Sequence, residues 1–150
     1  MEVVDRPLTP QEAAQVTGWR YPPPYDLYDC ADASVFLQDG CFPVLDGGRL
    51  VGFVQLGAEA RIPGQDEQEG VLDLGAGLSP DLVGRGAGTA LWPSVRRFAV
   101  ERCAPQALRT VVAAFNERST RLCLSAGFVV VRELPGPGGR PFRELLRAPA

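Results

Sequence analysis

Three glycines on alternate positions constrain this chain most strongly, because they leave the main chain uncovered between a predicted strand and a predicted helix. The segment 79–92 reads SPDLVGRGAGTALW and contains Gly84, Gly86 and Gly88. The N–H groups at a helix N-terminus are unpaired and lie at the positive end of the helix dipole, so they bind phosphate oxygens. Glycine lets such a group approach the main chain closely. The segment predicts an anion-binding strand–loop–helix unit, in which Arg85 either adds positive charge or lies in solvent.

The residue types that the chain lacks exclude several kinds of chemistry. It contains no histidine and no lysine, so all fifteen basic residues are arginine. Ser–His and Cys–His nucleophilic catalysis, histidine-ligated metals and Schiff-base chemistry are therefore excluded. The segment GRGAGT lacks the lysine of a P-loop, and its GxGxG spacing, late in the chain, disfavours a dinucleotide-binding fold.

Length and cysteine usage predict one cytoplasmic domain that spans residues 1–150. The four cysteines form no CxxC pair, which indicates reduced thiols and no metal site. No apolar run is long enough for a membrane span. The N-terminal sequence MEVVDRPLTPQE is acidic and does not resemble a signal peptide.

Charge is divided unevenly along the chain. Residues 1–75 carry thirteen carboxylates and four arginines, a net charge of −9, whereas residues 76–150 carry five carboxylates and eleven arginines, a net charge of +6. This asymmetry predicts an anionic partner near the second half and a cationic partner near the first, although ordinary solvated surface explains most of these charges. The overall acidity argues against nucleic-acid binding.

Periodicity and turn residues predict the element order β-α-α-β-β-β-α-β-α-β-β. Thr9 and Pro10 begin a short first helix, residues 30–40 predict a second one, and residues 46–48 form a hairpin turn. Pro93 is expected to kink or break the helix that follows the glycines. This order favours a mixed sheet with helices on both faces.

Two motifs in the second half resemble those of the GNAT superfamily of acyl-CoA-dependent N-acetyltransferases. The family pattern [QR]-x-x-G-x-[GA], after a strand and V/L-x-P, corresponds to residues 78–80 (LSP) and 83–88 (VGRGAG). The pattern N-x-x-[AS]-x-x-[LV]-Y-x-[KR]-x-G-F corresponds to residues 116–128 (NERSTRLCLSAGF). The resemblance covers about residues 44–147. It implies a mixed, mostly antiparallel sheet of six to seven strands, with a central splayed parallel pair and about four flanking helices.

The resemblance also implies an activity and a set of binding residues. It implies transfer of an acetyl group from acetyl-CoA, as co-substrate and without a metal, to a primary amine of a small molecule or peptide by direct attack in a ternary complex. Neither a nucleic acid nor a membrane is an expected partner, whereas a homodimer is one expectation because family members are often dimers. The implied acetyl-CoA-binding residues are Leu78, Ser79, Val83, Gly84, Arg85, Gly86, Ala87, Gly88, Thr89, Asn116 and Ser119. Asn116 is equally well explained as a helix cap.

Two departures from the family pattern leave the activity open. Val83 occupies the usual Gln or Arg position, so a side-chain contact to phosphate is lost. Cys123 occupies the position of a tyrosine that protonates the departing thiolate in many members. A thiol can donate a proton, but a small buried filler is the favoured interpretation. The alternative function is therefore a non-catalytic acyl-CoA-binding module.

Acceptor chemistry requires a base, and without histidine it falls to a carboxylate or to water. Asp73, in the strand before the glycines, is the first candidate and Glu59 the second; both are equally explained as surface charges. The segment 19–29 (WRYPPPYDLYD) and Asp32 predict an aromatic, acidic lip that suits a cationic amine, or else a proline-rich loop anchored to the core. The aromatic members are Trp19, Tyr21, Tyr25 and Tyr28, and the acidic members are Asp26, Asp29 and Asp32.

Overall fold

The chain folds around a seven-stranded sheet with three helices. A computed structural model describes residues 1–149. Along the sheet the strands follow the order β1-β2-β3-β4-β5-β7-β6, and only β4 and β5 are parallel. The predicted fold class is confirmed. The strands are β1 (Glu2–Val3), β2 (Cys41–Asp46), β3 (Arg49–Leu56), β4 (Val71–Leu78), β5 (Ala107–Ala113), β6 (Val129–Pro135) and β7 (Pro141–Arg147), and the helices are α1 (Pro10–Thr17), α2 (Ala87–Cys103) and α3 (Glu117–Ser125).

The parallel pair β4–β5 is short and opens into a fork. Its register begins at Val71–Ala107 and ends at Asp73–Arg109. Beyond that point β4 pairs with β3 alone, and β5 pairs with β7 alone. Two strand edges therefore face each other across a gap in the middle of the sheet, and the expected splayed pair is confirmed.

The helices differ from the predictions in two places. Thr9 caps α1 through the predicted capping box with Glu12. The second predicted helix is instead a five-residue 3-10 turn, Ala33–Leu37, which Asp32 begins by accepting a hydrogen bond from the Ser34 N–H. So short a segment favours the tighter turn, and residues 1–149 form three α-helices rather than about four.

The predicted break at Pro93 is absent, and α2 continues as one element from Ala87 to Cys103. Pro93 lies in the second turn of α2 with an exposed side chain, where water can bond the carbonyl oxygen that loses its N–H partner.

Alternation along the strands divides the core between the two faces of the sheet. On one face, Leu74, Leu108 and Leu145 are buried against α2 and α3. On the other face, α1 buries Ala13 and Val16 in a smaller cluster. Burial of each large apolar side chain contributes about 1.5–3 kcal/mol, so both layers hold the sheet. None of the helices that residues 1–149 form has the length and apolar character needed to cross a membrane.

The close approach of β3 to β4 requires glycine at Gly52. A Cβ atom there would lie 2.5 Å from the carbonyl oxygen of Gly77. We expect Gly52→Ala to lower the free energy of unfolding by about 1–3 kcal/mol, because the strands must separate. The matched control is Gly75→Ala on β4, where the nearest atom is 3.9 Å away and a change within about 0.5 kcal/mol is expected. Urea unfolding of both variants measures the difference, and equal stabilities would contradict the prediction.

Candidate functional site

The fork between β4 and β5 leaves an open cleft through the middle of the sheet. Ala76 lies on the face of the sheet that packs against α2 and α3. It is exposed, although its strand lies at the centre of the sheet. On the opposite face a Cβ atom on Gly75 would meet no atom closer than 3.9 Å, whereas the Phe53 ring covers Gly77. The cleft is therefore accessible from both faces.

The glycine segment forms the turn at the outer end of β4. Gly84 and Gly86 both have φ of +78°, a conformation that favours glycine. Gly86 precedes α2 without any side-chain cap, and a Cβ atom on it would meet nothing within 4 Å. Gly88 is the point of contact with α3, because a Cβ there would lie 2.9 Å from Leu122 Cδ2. The first turn of α2 therefore has no side-chain cap over its N–H groups, and its binding of an anion stays a prediction.

The residues around this turn have distinct surroundings. The Leu78 carbonyl oxygen accepts a hydrogen bond from the Tyr21 hydroxyl, and the buried Ser79 donates its N–H to the Val51 carbonyl. Val83 is extended and half-buried. The positions whose residues remain exposed are Gly84, Arg85, Gly86 and Thr89, and Ala87 and Gly88 are half-buried.

Arg118 joins this turn, although sequence reasoning did not single it out. A Cβ atom built on Gly84 would lie 3.2 Å from Arg118 Nη1, and the guanidinium lies 5.1 Å from the centre of the Tyr25 ring. Among residues 1–149, neither Arg118 nor Arg85 has a carboxylate partner, so both charges are available to an anion. Arg118 lies inside the second motif, but its neighbour Gly84 lies 34 positions earlier, so only the fold brings them together.

Asn116 links α3 to the cleft. Its Oδ1 accepts a hydrogen bond from the Ser119 N–H at 3.1 Å, which confirms the predicted helix cap. Its Nδ2 donates to the Tyr28 hydroxyl oxygen at 3.3 Å. That oxygen also accepts a hydrogen bond from the Ala113 N–H at 3.2 Å, at the end of β5. Tyr28 therefore contacts one arm of the fork.

Asp73 lies at the vertex of the fork, in surroundings that do not suit a general base. Its carboxylate is 3% exposed and forms a two-bond pair with Arg109, in which Nη2 and Oδ2 are 3.0 Å apart. Arg61 donates a further bond to Oδ2 at 2.9 Å. The hydrogen bonding of Arg109 to Asp73 is the main cause that raises the pKa of Arg109, and the burial of Arg109 opposes this rise. Two guanidinium groups occupy the carboxylate, which favours a structural anchor over a proton acceptor, and the role of base stays a prediction.

The same ion pair extends across the sheet. Arg109 Nη1 lies 3.5 Å from Glu144 Oε1 on β7, and Arg132 on β6 donates to both Glu144 oxygens. Positive and negative groups alternate from Arg61 to Arg132, so each buried carboxylate has a partner on either side. This ladder ties the vertex to the far edge of the sheet.

Cys123 also lacks the surroundings of a proton donor. Its side chain is 2% exposed and packs in the main core, and burial raises its pKa to about 12. A thiol enclosed in the core has little access to a ligand in the cleft, so the structure favours the buried filler.

The remaining predicted residues differ in their contacts, and several of them bond to or pack against their own loop. Glu59 follows β3 in a 3-10 turn, with its carboxylate against Gly40. Trp19 stacks on Phe53, and Tyr25 meets Phe115 edge-on. Asp29 accepts the Tyr21 N–H and Asp32 accepts the Ser34 N–H, so these two carboxylates hold their own loop. Asp26 is exposed.

Comparison with known proteins identifies a family. A family model described as the acetyltransferase (GNAT) family matches residues 10–128. No curated protein gives a significant match to the sequence.

Solved structures share the fold. An aminoglycoside acetyltransferase AAC(6')-Ib bound to coenzyme A is 20% identical with a TM-score of 0.74, and the match covers 98% of this chain and 95% of that one. A spermidine N-acetyltransferase, a SpeG chimera from Vibrio cholerae and hSSAT, is 15% identical with a TM-score of 0.70 and coverages of 99% and 96%. An acetyltransferase of the GNAT family from Streptococcus pneumoniae is 15% identical with a TM-score of 0.64 and coverages of 98% and 99%. At these identities the likeness concerns the fold.

The vertex ion pair predicts a stability effect at Asp73. We expect Asp73→Asn to lower the free energy of unfolding by about 3–5 kcal/mol, because it leaves the buried Arg109 charge without its partner. The control is Asp5→Asn, which breaks a surface pair with Arg102, both side chains being well exposed, and should cost at most about 1 kcal/mol. Urea unfolding compares them. If both variants lose the same stability, Asp73 does not hold the vertex.

Glu144 predicts how stability depends on pH. Burial by itself raises the pKa of Glu144, but hydrogen bonds from Arg132 and Gln65 and the charges of Arg132 and Arg109 outweigh burial and lower it. A lowered folded pKa stabilises the fold above the unfolded value of about 4.3, and this stability is lost as the pH falls through the folded value. The free energy of unfolding of the wild type relative to Glu144→Gln should therefore be larger at neutral pH than at about pH 3. A constant difference would contradict this.

Proposed function

Because this chain belongs to the acetyltransferase (GNAT) family, we propose that it transfers the acetyl group of acetyl-CoA to a primary amine by direct attack in a ternary complex. The observation that carries this proposal is the gap between β4 and β5, with the uncapped glycine turn at its outer end. The gap offers two strand edges to an extended chain, and the turn offers main-chain N–H groups to phosphate.

The residues around the gap fit acetyl-CoA. The N–H groups near Gly84, Gly86 and Gly88 would hold the pyrophosphate, with Arg85 and Arg118 supplying positive charge. Val83 has no donor in its side chain, so Arg118 offers the side-chain contact that this position lacks. Asn116 would lie beside the pantetheine arm. When bound, acetyl-CoA supplies a thioester whose carbonyl carbon accepts the amine.

A cationic amine is the acceptor class that the chain's charges support. The first half of the chain, which supplies the segment 19–29, has a net charge of −9. Aromatic faces and carboxylates both attract cations. The Tyr25 ring and the exposed Asp26 lie on this segment. Among solved structures of similar fold, AAC(6')-Ib has been crystallised with ribostamycin and with kanamycin.

The attacking amine must lose a proton. With Asp73 occupied by two arginines, Glu59 remains the carboxylate candidate. Among residues 1–149 no arginine forms an ion pair with it. Water in the open cleft is the other acceptor. Holding amine and thioester together supplies much of the acceleration in such a reaction, so a weak base is sufficient.

A second function, a non-catalytic acyl-CoA-binding module, rests on Cys123. Its thiol is enclosed in the core, which favours a filler rather than a replacement for the tyrosine acid. This alternative predicts acetyl-CoA binding without release of CoA in the presence of any amine.

Isothermal titration with acetyl-CoA tests the phosphate site. We expect the wild type to bind and Arg118→Ala to bind about tenfold more weakly, since a charge-assisted hydrogen bond to phosphate is lost. Arg97→Ala is the matched control, because it removes the same charge from an exposed position in the middle of α2. Gly86→Val should abolish binding, because valine strains the turn and covers the N–H groups.

A thiol-release assay with polyamines, aminoglycosides and peptide amines then separates the two functions. Release of CoA with one of these amines supports the acetyltransferase. Binding without release from any amine supports the binding module, and no binding at millimolar acetyl-CoA contradicts both.

A further inference from the structure

One loop spans both arms of the fork. In the segment 19–29, the Tyr21 hydroxyl donates to the Leu78 carbonyl oxygen of β4 at 2.7 Å, and the Tyr28 hydroxyl oxygen accepts the Ala113 N–H of β5. Asp29 accepts the Tyr21 N–H at 3.0 Å, which brings the two ends of the loop together. The two hydroxyl groups therefore lie on opposite edges of the same gap.

The two hydroxyl groups differ in what happens to their protons. Tyr21 donates its proton to a strand carbonyl and acts as an anchor. The Tyr28 oxygen receives two hydrogen bonds, from Ala113 N–H and from Asn116 Nδ2, which are both donors. Within the part of the chain that the structure describes, no acceptor takes the Tyr28 proton itself. Tyr28 therefore offers a free O–H group at the end of β5.

The surroundings keep this phenol protonated and hold its oxygen with two hydrogen-bond donors. Burial is the main cause that raises the pKa of Tyr28, the bonds from Asn116 and Ala113 lower it, and nearby Tyr25 and Cys123 raise it. The side chain is nevertheless 40% exposed, so solvent can return a lost proton. The two donors that hold the oxygen would stabilise a phenolate.

Tyr28 also lies close to the position that the family pattern assigns to an acid. Its hydroxyl oxygen lies 3.3 Å from Asn116 Nδ2. Asn116, which binds Tyr28, begins the helix that carries Cys123. The loop therefore brings a phenol to a region in which α3 presents only a buried thiol.

We infer that the Tyr28 hydroxyl is the proton donor to the departing CoA thiolate, an inference that rests on the proposed acetyltransferase function. The amine nitrogen forms a bond to the acetyl carbon, and the carbon–sulfur bond breaks with its electron pair on sulfur. Sulfur takes the Tyr28 proton, and the phenolate regains a proton from water. The proton that the amine loses to the solvent balances this gain, so amine and acetyl-CoA become amide and CoA.

Tyr28→Phe tests this role in catalysis, because it keeps the ring contact with Phe115 and removes only the hydroxyl. We expect kcat to fall about 100-fold, as for loss of a general acid, with the KM for acetyl-CoA unchanged. Thr17→Val is the control: it removes a hydroxyl group at the end of α1, outside the segment 19–29 and both motifs, where that group donates to the Ala14 carbonyl oxygen, and it should retain wild-type kcat. A Tyr28→Phe enzyme with wild-type kcat overturns the inference.

A binding measurement tests the same proton without turnover. At about pH 9.5, above the ordinary thiol value of about 8.5, free CoA is largely thiolate and Tyr28 keeps its proton. The wild type should then bind CoA about tenfold more tightly than desulfo-CoA, because the hydroxyl donates to sulfur. Tyr28→Phe should bind both equally.

The two measurements separate the inference from the proposed function. If wild-type protein acetylates no amine, the proposed function fails and the CoA comparison alone decides on Tyr28. If the wild type shows no preference for CoA, or Tyr28→Phe retains that preference, Tyr28 is not the donor and the inference is overturned, whatever the turnover.

Discussion

The buried pair between Asp73 and Arg109 is the contact on which the site depends. It joins the last two residues that β4 and β5 share in register. Beyond it the strands take different partners, so the fork begins where the ion pair ends. Two unpaired buried charges would be very costly, whereas a two-bond pair with further hydrogen bonds is tolerated. The pair therefore holds the vertex closed while the rest of the fork stays open.

The two arms of the fork carry different kinds of polar groups at their ends. At the outer end of β4, the glycine turn, Arg85 and Arg118 provide N–H groups and positive charge. Near the end of β5, Asn116 and Tyr28 provide neutral hydrogen-bonding groups. The proline-rich loop contacts both arms through Tyr21 and Tyr28, so it contributes to the cleft as well as anchoring itself to the core. The loop is therefore anchored to both strands of the fork, and its role as a lip for a cationic amine stays a prediction.

Local signals in the sequence predicted much of the fold. The capping box at Thr9, the hairpin at residues 46–48 and the cap at Asn116 each depend on contacts within a few residues, and all three are present. The family resemblance carried by the two motifs is confirmed by the match to residues 10–128. Residues Ala33–Leu37 form a 3-10 turn where the sequence predicted a helix over residues 30–40, because so short a segment has too few turns to favour the α-helix.

Charged and reactive side chains were harder to assign, because their roles depend on partners distant in sequence. Its position in the strand before the glycines makes Asp73 a candidate base. Its carboxylate, however, accepts hydrogen bonds from Arg109, 36 positions later, and from Arg61. The residues next to Cys123 in the sequence do not predict that its side chain is buried in the core. No local pattern around Arg118 predicts that its guanidinium lies beside Gly84.

The sequence by itself determined the glycine-rich turn before α2, the helix caps and the absence of histidine and lysine chemistry, because these follow from residue type and local spacing. Only the tertiary structure decided which carboxylate is occupied, which thiol is buried and which phenol keeps a free proton. Those properties are set by burial and by the sign of neighbouring charges, and both arise when distant segments meet across the fork.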